Sequence, residues 1–295
     1  MLQVLRLRAK AMEAVRRFFA ERDFLEIDTP ALVPSPGLDV HLSAFEVRDP
    51  SGQAVGWLAT SPEYQMKRLL SDGAERIFQI CRSYRADEQG EHHEREFTML
   101  EWYRAHATSN DLIEDTEALV AHLAAALDVP AAERLVGPWD RISVRAAFEQ
   151  QAGGVVDPQD EDLFFRTWAE KIQPNLGHER PVVVTDWPRS MASLAKLTPE
   201  GTADRFEAFV SGVELCNGFG ELTDPAEQRR RFELDQAARR AAGLPVYPID
   251  ERFIAALERG MPDSGGNALG FDRLLMLLTG AESIQAVMPF PAERL

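Results

Sequence analysis

The architecture of this chain turns on Arg82-Ser-Tyr-Arg-Ala-Asp-Glu-Gln-Gly-Glu-His-His-Glu-Arg-Glu-Phe-Thr-Met-Leu-Glu-Trp-Tyr-Arg104. Its centre is crowded with charge. Yet Phe97, Met99, Leu100 and Trp102 fill its second half, which a solvated charge run would not carry. The segment reads as strand, charged loop and strand, over residues 76–84 and 96–104. Arg85 then stands at the end of the first strand, facing a loop that could close over an anionic ligand. Its planar guanidinium fork suits phosphate oxygens. The plainer alternative is a surface salt bridge to a neighbouring carboxylate.

Length and composition bound what surrounds this hairpin. A chain of 295 residues can bury a large core. Hydrophobic residues make up 45% and charged residues 27%, ordinary values for a globular protein. No apolar run approaches the ~18 residues that span a membrane, and the first residues do not form a secretory signal. Cys81 and Cys216 lie far apart without a CxxC pair, which implies neither a disulfide framework nor a zinc site and fits a reducing cytoplasm. The net charge of −16 weighs against extensive nucleic-acid contact, because such affinity rests on neutralising phosphates.

Upstream of the hairpin, residues 3–22 have the spacing of an amphipathic helix, with Arg8, Lys10, Glu13, Arg16 and Arg17 on its polar side. Residues 24–30 alternate as a strand that stops at Pro30, and a loop follows through Pro34 and Gly37. Residues 40–48 and 53–60 form a hairpin around Asp49-Pro-Ser-Gly52. Ser61 caps a short helix through Leu70, with Pro62 in its first position. Downstream, helices are expected over 110–127, capped by Asn110, and near 143–152. Residues 153–160 read as a loop. Residues 182–187 form a buried strand, and 206–215 a hairpin turning near Ser211-Gly212. Helices follow at 225–242, 250–259 and 268–279, the last entered through Gly265-Gly266. No linker divides the chain. It reads as one α/β domain of the α+β type, with a mostly antiparallel sheet flanked by helices.

Several residues could carry chemistry. Arg273 begins an apolar helix, where free N–H groups and the dipole favour an anion. Small residues at Gly265, Gly266, Ala268 and Gly270 let a ligand approach the backbone, or merely permit tight packing with Asp272 pairing Arg273. Glu214 and Glu221, with Asn217, supply oxygen ligands of the kind Mg²⁺ takes alongside substrate phosphates. Their spacing of seven puts them on opposite faces of a regular strand unless a bulge intervenes, and an ordinary edge strand is the plainer reading. Glu63, beside Ser61, would suit a substrate ammonium or simply favour a helix start. His92 and His93 have no spaced metal-binding partners.

Three ordered motifs resemble those of class II aminoacyl-tRNA synthetases. The first helix and the strand ending at Pro30 resemble motif 1, which builds the dimer interface in that family. Residues 82–104 resemble motif 2, and Gly266-Asn-Ala-Leu-Gly-Phe-Asp-Arg273 resembles motif 3. More narrowly, Thr60-Ser-Pro-Glu-Tyr-Gln-Met-Lys-Arg68, residues 96–104, Glu214-Leu-Cys-Asn-Gly-Phe219 and Gly243-Leu-Pro245 resemble the elongation factor P–lysine ligases, which are lysyl-tRNA synthetase paralogues. The resemblance implies a single catalytic domain over 1–295. Motif 1 begins almost at Met1, leaving no room for the anticodon-binding domain of the synthetases, and Ala268 stands where those usually have Gly.

The implied activity is ATP- and Mg²⁺-dependent activation of lysine or (R)-β-lysine, followed by transfer to a lysine of elongation factor P. The enzyme would be a cytoplasmic homodimer, and tRNA is not its expected substrate. Residue by residue, Arg85 and Arg273 would clamp the α- and γ-phosphates. Glu214 and Leu215 would line the ATP and metal site, with Gly270 under the nucleotide and Glu221 as a second metal carboxylate. Ser61, Pro62, Glu63, Tyr103, Glu221 and Ala268 would surround the amino acid. Two departures fall on the adenine side: Asp87 replaces the usual Glu, and Glu94-Arg95 the usual Asn-Pro. The competing readings are an enzyme acting on tRNA or a small amine, and a non-catalytic synthetase-like subunit.

Overall fold

The computed structural model describes residues 2–295. Its centre is the hairpin read from the sequence. Strands β5 (Arg76–Tyr84) and β6 (Glu96–Ala105) pair without a break from Arg76↔Arg104 to Tyr84↔Glu96, and the charged residues 85–95 form the loop at their end. For this pairing the elements to that point are α1 (Leu2–Ala20), β1 (Leu25–Glu26), β2 (Leu32–Val33), β3 (Glu46–Arg48), β4 (Ala54–Leu58), α2 (Glu63–Ser71), β5 (Arg76–Tyr84) and β6 (Glu96–Ala105). Beyond lie α3 (Ser109–Leu127), β7 (Asp140–Ser143), α4 (Val144–Gln151), α5 (Glu161–Thr167), β8 (Val182–Thr185), β9 (Arg205–Val210) and β10 (Val213–Gly220). The chain finishes through α6 (Pro225–Ala241), α7 (Glu251–Arg259), β11 (Ser264–Gly270) and α8 (Phe271–Thr279).

The main sheet runs β1-β5-β6-β11-β10-β9-β8-β7. Its outermost pairings, β1–β5 and β7–β8, are parallel, and those between are antiparallel. The mostly antiparallel sheet with flanking helices therefore stands. β2, β4 and β3 form a small second sheet.

Alternation along β6 assigns the two faces. Leu100 and Trp102 enter a core with Val15, Phe18 and Phe19 of α1, Leu112 and Leu119 of α3, and Leu274 of α8. Tyr103 points the other way, into a cluster with Tyr64 of α2, Phe232 of α6 and Phe253 of α7. A third cluster, around Phe148, Phe164, Trp168 and Trp187, fills the β7–β8 end. A buried network ties the first face together. Arg8 donates to Asp272 Oδ1 at 2.5 Å and Thr98 Oγ1 at 2.9 Å, while the Thr98 N–H donates to Asp272 Oδ2 at 2.6 Å. Helix α1 is thereby locked to β6 and to the start of α8.

Several local expectations change. Residues 268–270 are strand, not helix: β11 pairs with both β6 and β10, and α8 starts only at Phe271. The glycines serve close packing, since a Cβ on Gly265 would strike Leu112, and one on Gly266 would strike Glu221 and Tyr103. Helix α3 is capped by Thr108 rather than Asn110, in a reciprocal capping box with Asp111. The strand expected over 24–30 shrinks to Leu25–Glu26, and the loop after it contains β2. Helix α2 begins at Glu63, with Pro62 outside it, although the Ser61 hydroxyl does accept the Glu63 N–H at 3.0 Å. Arg8 is buried against Asp272 instead of lying on a solvated face, and Asp272 therefore does not pair with Arg273.

Candidate active site

The second face of the sheet holds a cavity of about 760 Å³ between the strands, α2, α6 and the loop after β5. Its two ends differ in chemistry.

At the first end two arginines, Arg85 and Arg273, line the cavity. Arg85 donates from Nη1 to Glu88 Oε1 at 2.9 Å, the salt bridge foreseen as the plainer alternative. Its Nε is buried without any partner, and its guanidinium lies 5.1 Å from the Phe97 ring centre. Arg273 projects from the first turn of α8 and donates to the backbone carbonyls of His92 and Glu214, each at 3.0 Å. Burial and the Arg273 charge hold His92 and His93 below the ordinary histidine value. The loop is clasped from the C-terminal region, where Gln285 Nε2 donates to Gly90 O at 2.9 Å and Glu94 Oε1 at 3.0 Å. Glu94 is buried by that contact and lines the cavity. Asp87 is exposed and lies off the lining, where Glu88 takes the inward position instead. Gly270 lines the cavity too; the nearest atoms a Cβ there would meet belong to the Arg273 side chain, at 3.4 Å, an ordinary van der Waals contact.

The acidic pair at this end is Glu207 and Glu214. A register shift between Glu214 and Cys216 places the bulge at Leu215, which is buried against the cavity. Glu207, on neighbouring β9, lines the same wall and accepts from Arg205. Burial pushes its carboxyl up to about 7; Arg205 opposes the shift and the nearby Glu214 charge adds to it. Glu221 lies elsewhere. It follows β10, is fully buried, and its oxygen sits 2.5 Å from Lys67 Nζ. Among the described residues no group of three His, Cys, Asp or Glu side chains gathers as a metal cage. Two carboxylates facing an arginine-lined cavity fit Mg²⁺, which is commonly held by one or two carboxylates plus substrate phosphates.

At the second end Ser61, Glu63, Asn217, Phe219 and Ala268 line the wall. Directly behind them is a buried charged cluster. Ser61 Oγ donates to Glu101 Oε2 at 2.9 Å and Tyr103 OH donates to Glu101 Oε1 at 2.6 Å. Lys67, wholly buried, donates to Glu63 Oε1 at 2.6 Å and contacts Glu221. The Lys67–Glu221 contact is poorly aligned for a hydrogen bond, and both Glu221 oxygens remain without one. Burial, reinforced by Glu63, raises Glu101 to about 7. Burial likewise raises Glu221 to about 8, against the pull of Lys67. Tyr103 and Glu221 thus sit behind the wall rather than on it, and so does Pro62, whose carbonyl accepts from Met66 N at 3.0 Å. Sequence reasoning passed over Glu101, Lys67 and Glu207. An acid inside an apolar strand and a Glu63–Lys67 pair at helical spacing were the signals for the first two.

The cavity mouth is acidic, with Asp39, Asp235, Glu161 and Asp162 on its rim. Burial and the Asp39 charge lift Asp235 to about 7. The two thiols are unpaired, and burial pushes both up to about 12, so neither is a nucleophile at neutral pH. No helix among the described residues is long and apolar enough to cross a membrane.

Comparisons with known proteins agree with this architecture. The family model of tRNA synthetases class II (D, K and N) matches residues 1–294. An elongation factor P–(R)-β-lysine ligase from Edwardsiella ictaluri (strain 93-146) is 45% identical over 309 aligned residues, covering 97% of this chain and 94% of that protein. With an arginine from the β5–β6 loop and one from α8 converging on a cavity over an antiparallel sheet, and with both matches running nearly end to end, this chain belongs to the class II tRNA synthetase family.

Proposed function

We propose that the chain activates lysine or (R)-β-lysine with ATP as an aminoacyl-adenylate and transfers the aminoacyl group to a lysine side chain of elongation factor P. The observation that carries this reading is the division of a single cavity. An arginine pair with two carboxylates faces one end, and a buried acidic cluster underlies the other. A triphosphate and a diammonium amino acid are complementary to those two ends. The similarity to an elongation factor P–(R)-β-lysine ligase over 94% of its length supports the same acceptor.

Adenylate formation needs the amino-acid carboxylate in line with the α-phosphorus, so the protein chiefly positions the reactants and spreads negative charge. Arg85 would bind the α-phosphate, exchanging Glu88 for phosphate oxygens and engaging its free Nε. Arg273 would bind the γ-phosphate, and Glu214, Leu215, Gly270 and Glu94 would border the nucleotide. Mg²⁺, held by Glu207 and Glu214, would neutralise phosphate charge when bound. Ser61 and Glu63 would meet the amino acid directly, backed by Glu101, Tyr103 and Glu221, while Ala268 would shape the pocket floor. In the second step the acceptor amine must shed a proton before attacking the adenylate carbonyl.

Residues 1–295 are read as one catalytic domain. The net charge of −16 and the acidic mouth favour a cationic lysine of a protein over tRNA. The exposed Leu2, Leu5 and Leu25 suit a second copy of the chain as a partner, and two free thiols suit a reducing cytoplasm. Incubation with ATP, labelled lysine or (R)-β-lysine, and either elongation factor P or tRNA tests the reading. Label on the factor is expected; label on tRNA with the factor untouched would overturn it.

A further inference from the structure

Lys67 has no place in the chemistry described so far, yet it is the most completely enclosed cation of the site. It sits one turn after Glu63 on α2, with none of its side chain exposed. Its ammonium lies 2.6 Å from Glu63 and 2.5 Å from Glu221, and 6.0 Å from the Phe219 ring centre. A lysine in the dry interior is expensive unless it is paired. Here it has two carboxylates from distant parts of the chain, and neither Glu221 oxygen is otherwise engaged.

We infer that Lys67 is a positioning residue for the amino-acid substrate. It holds Glu63 and Glu221 in place and sets the net charge of the pocket to suit a ligand with two ammonium groups. The inference rests on the amino-acid end of the reading proposed above. The groups facing it are Glu63 on its own helix, Glu221 beyond β10, and Glu101 with Tyr103 on β6. Cys81 of β5, close enough to feel the Glu101 charge, is neutral. Three carboxylates against one ammonium leave a formal charge of −2. Burial alone would push the Lys67 ammonium down, but Glu221 and Glu63 outweigh it, so the lysine stays charged. Without a ligand, protons on Glu101 and Glu221 make up the deficit. A diammonium ligand can displace both protons, whereas a monoammonium ligand displaces one and leaves the other on a carboxylate that would face its uncharged end. Without Lys67 the carboxylates would take up protons more tightly, and Glu63 would lose the contact that orients it toward the cavity.

Lys67→Met keeps most of the unbranched side chain and removes its charge. Amino-acid-dependent pyrophosphate exchange, followed across pH, is expected to show the amino-acid KM raised about tenfold, the factor that one unit of carboxylate pKa represents, with the ATP KM unchanged. The pH midpoint of that KM should also move upward. Thermal melts without substrate supply a second arm. The gap between parent and Lys67→Met should be small near pH 5, where the carboxylates are protonated, and wide near pH 8. A gap of equal size at both pH values, or an unmoved amino-acid KM and pH midpoint, would reduce Lys67 to packing and overturn the inference. If the parent itself supports no exchange, the proposed activity fails, and the substrate-free melts still decide whether Lys67 balances charge.

Discussion

The two ends of the cavity solve the same problem, holding charge in a protein, in opposite ways. At the arginine end the charges rest on replaceable partners. Arg85 leans on Glu88, with each side chain 23% exposed, and Arg273 leans on backbone carbonyls. A polyanion can exchange for those contacts at little expense, because exposed ion pairs contribute only about 0–1 kcal/mol. At the acidic end Lys67, Glu101 and Glu221 are sealed from water; Lys67 is ion-paired to Glu221 and Glu63, and Glu101 accepts from Tyr103 and Ser61. There a missing partner leaves a buried charge, which costs about 3–5 kcal/mol. The contrast suits a large anion that must enter and leave as a different molecule, beside a small cation recognised by its number of charges.

The largest effect expected is from Arg273→Ala. It should lower pyrophosphate exchange by about 100- to 1000-fold, the usual effect of removing one donor to developing charge. Steady-state kinetics with ATP varied checks it, and a loss under fivefold would break the assignment of this end to phosphate. Next, Glu221→Gln should raise the amino-acid KM by about 30-fold, taken from the lower part of the range for truncating a buried charge pair, while sparing the ATP KM. Equal changes in both constants would show that the two ends are not separate.

The third effect is a pH dependence. Glu101 and Glu221 lie at about 7 and about 8 in the folded chain, against an ordinary 4.5. Raised carboxylates bind protons more tightly when folded, so their contribution is fully present below about 4.5 and is lost as pH rises through about 7 to 8. Without ligand, the melting temperature should therefore fall across that window. The stabilisation conferred by lysine should grow over the same window, since the ligand replaces the lost protons. Scanning fluorimetry with and without lysine checks the sign. Fourth, Glu88→Gln should free Arg85 and lower the ATP KM by about two- to fivefold, the value of a partly exposed pair. Smallest, and remote from both ends, Thr108→Ala should cost about 1 kcal/mol of stability through the lost cap, with exchange kinetics unchanged.

How much of this was legible in the sequence depended on the range of each interaction. The β5–β6 hairpin was readable because alternation and a charged loop are local signals, and its ends matched within a residue. Residues 268–270 were misread because their glycines and the apolar run after them continue the helical pattern of α8. What makes them strand is pairing with β6 and β10. Arg8 looked like one more polar residue on an amphipathic helix, but its partner Asp272 is 264 positions away. The pairing of Lys67 with Glu221 was hidden in the same manner. Glu207 escaped notice because its spacing of seven from Glu214 duplicates that of Glu221. The fold places Glu207 on the neighbouring strand beside Glu214 and carries Glu221 past the end of β10. Arg85 and Arg273 were found because glycine-rich and motif-like surroundings flag them locally. Their present partners, Glu88 and two carbonyls, follow only from the folded loop.

The most direct test is amino-acid-dependent ATP–pyrophosphate exchange without any acceptor, comparing lysine, (R)-β-lysine and norleucine. Exchange with either or both of the two diammonium compounds, and none with norleucine, is expected if an ATP end and a dication end share one cavity. Exchange that proceeds equally well with norleucine, or no exchange with any of the three, would contradict it.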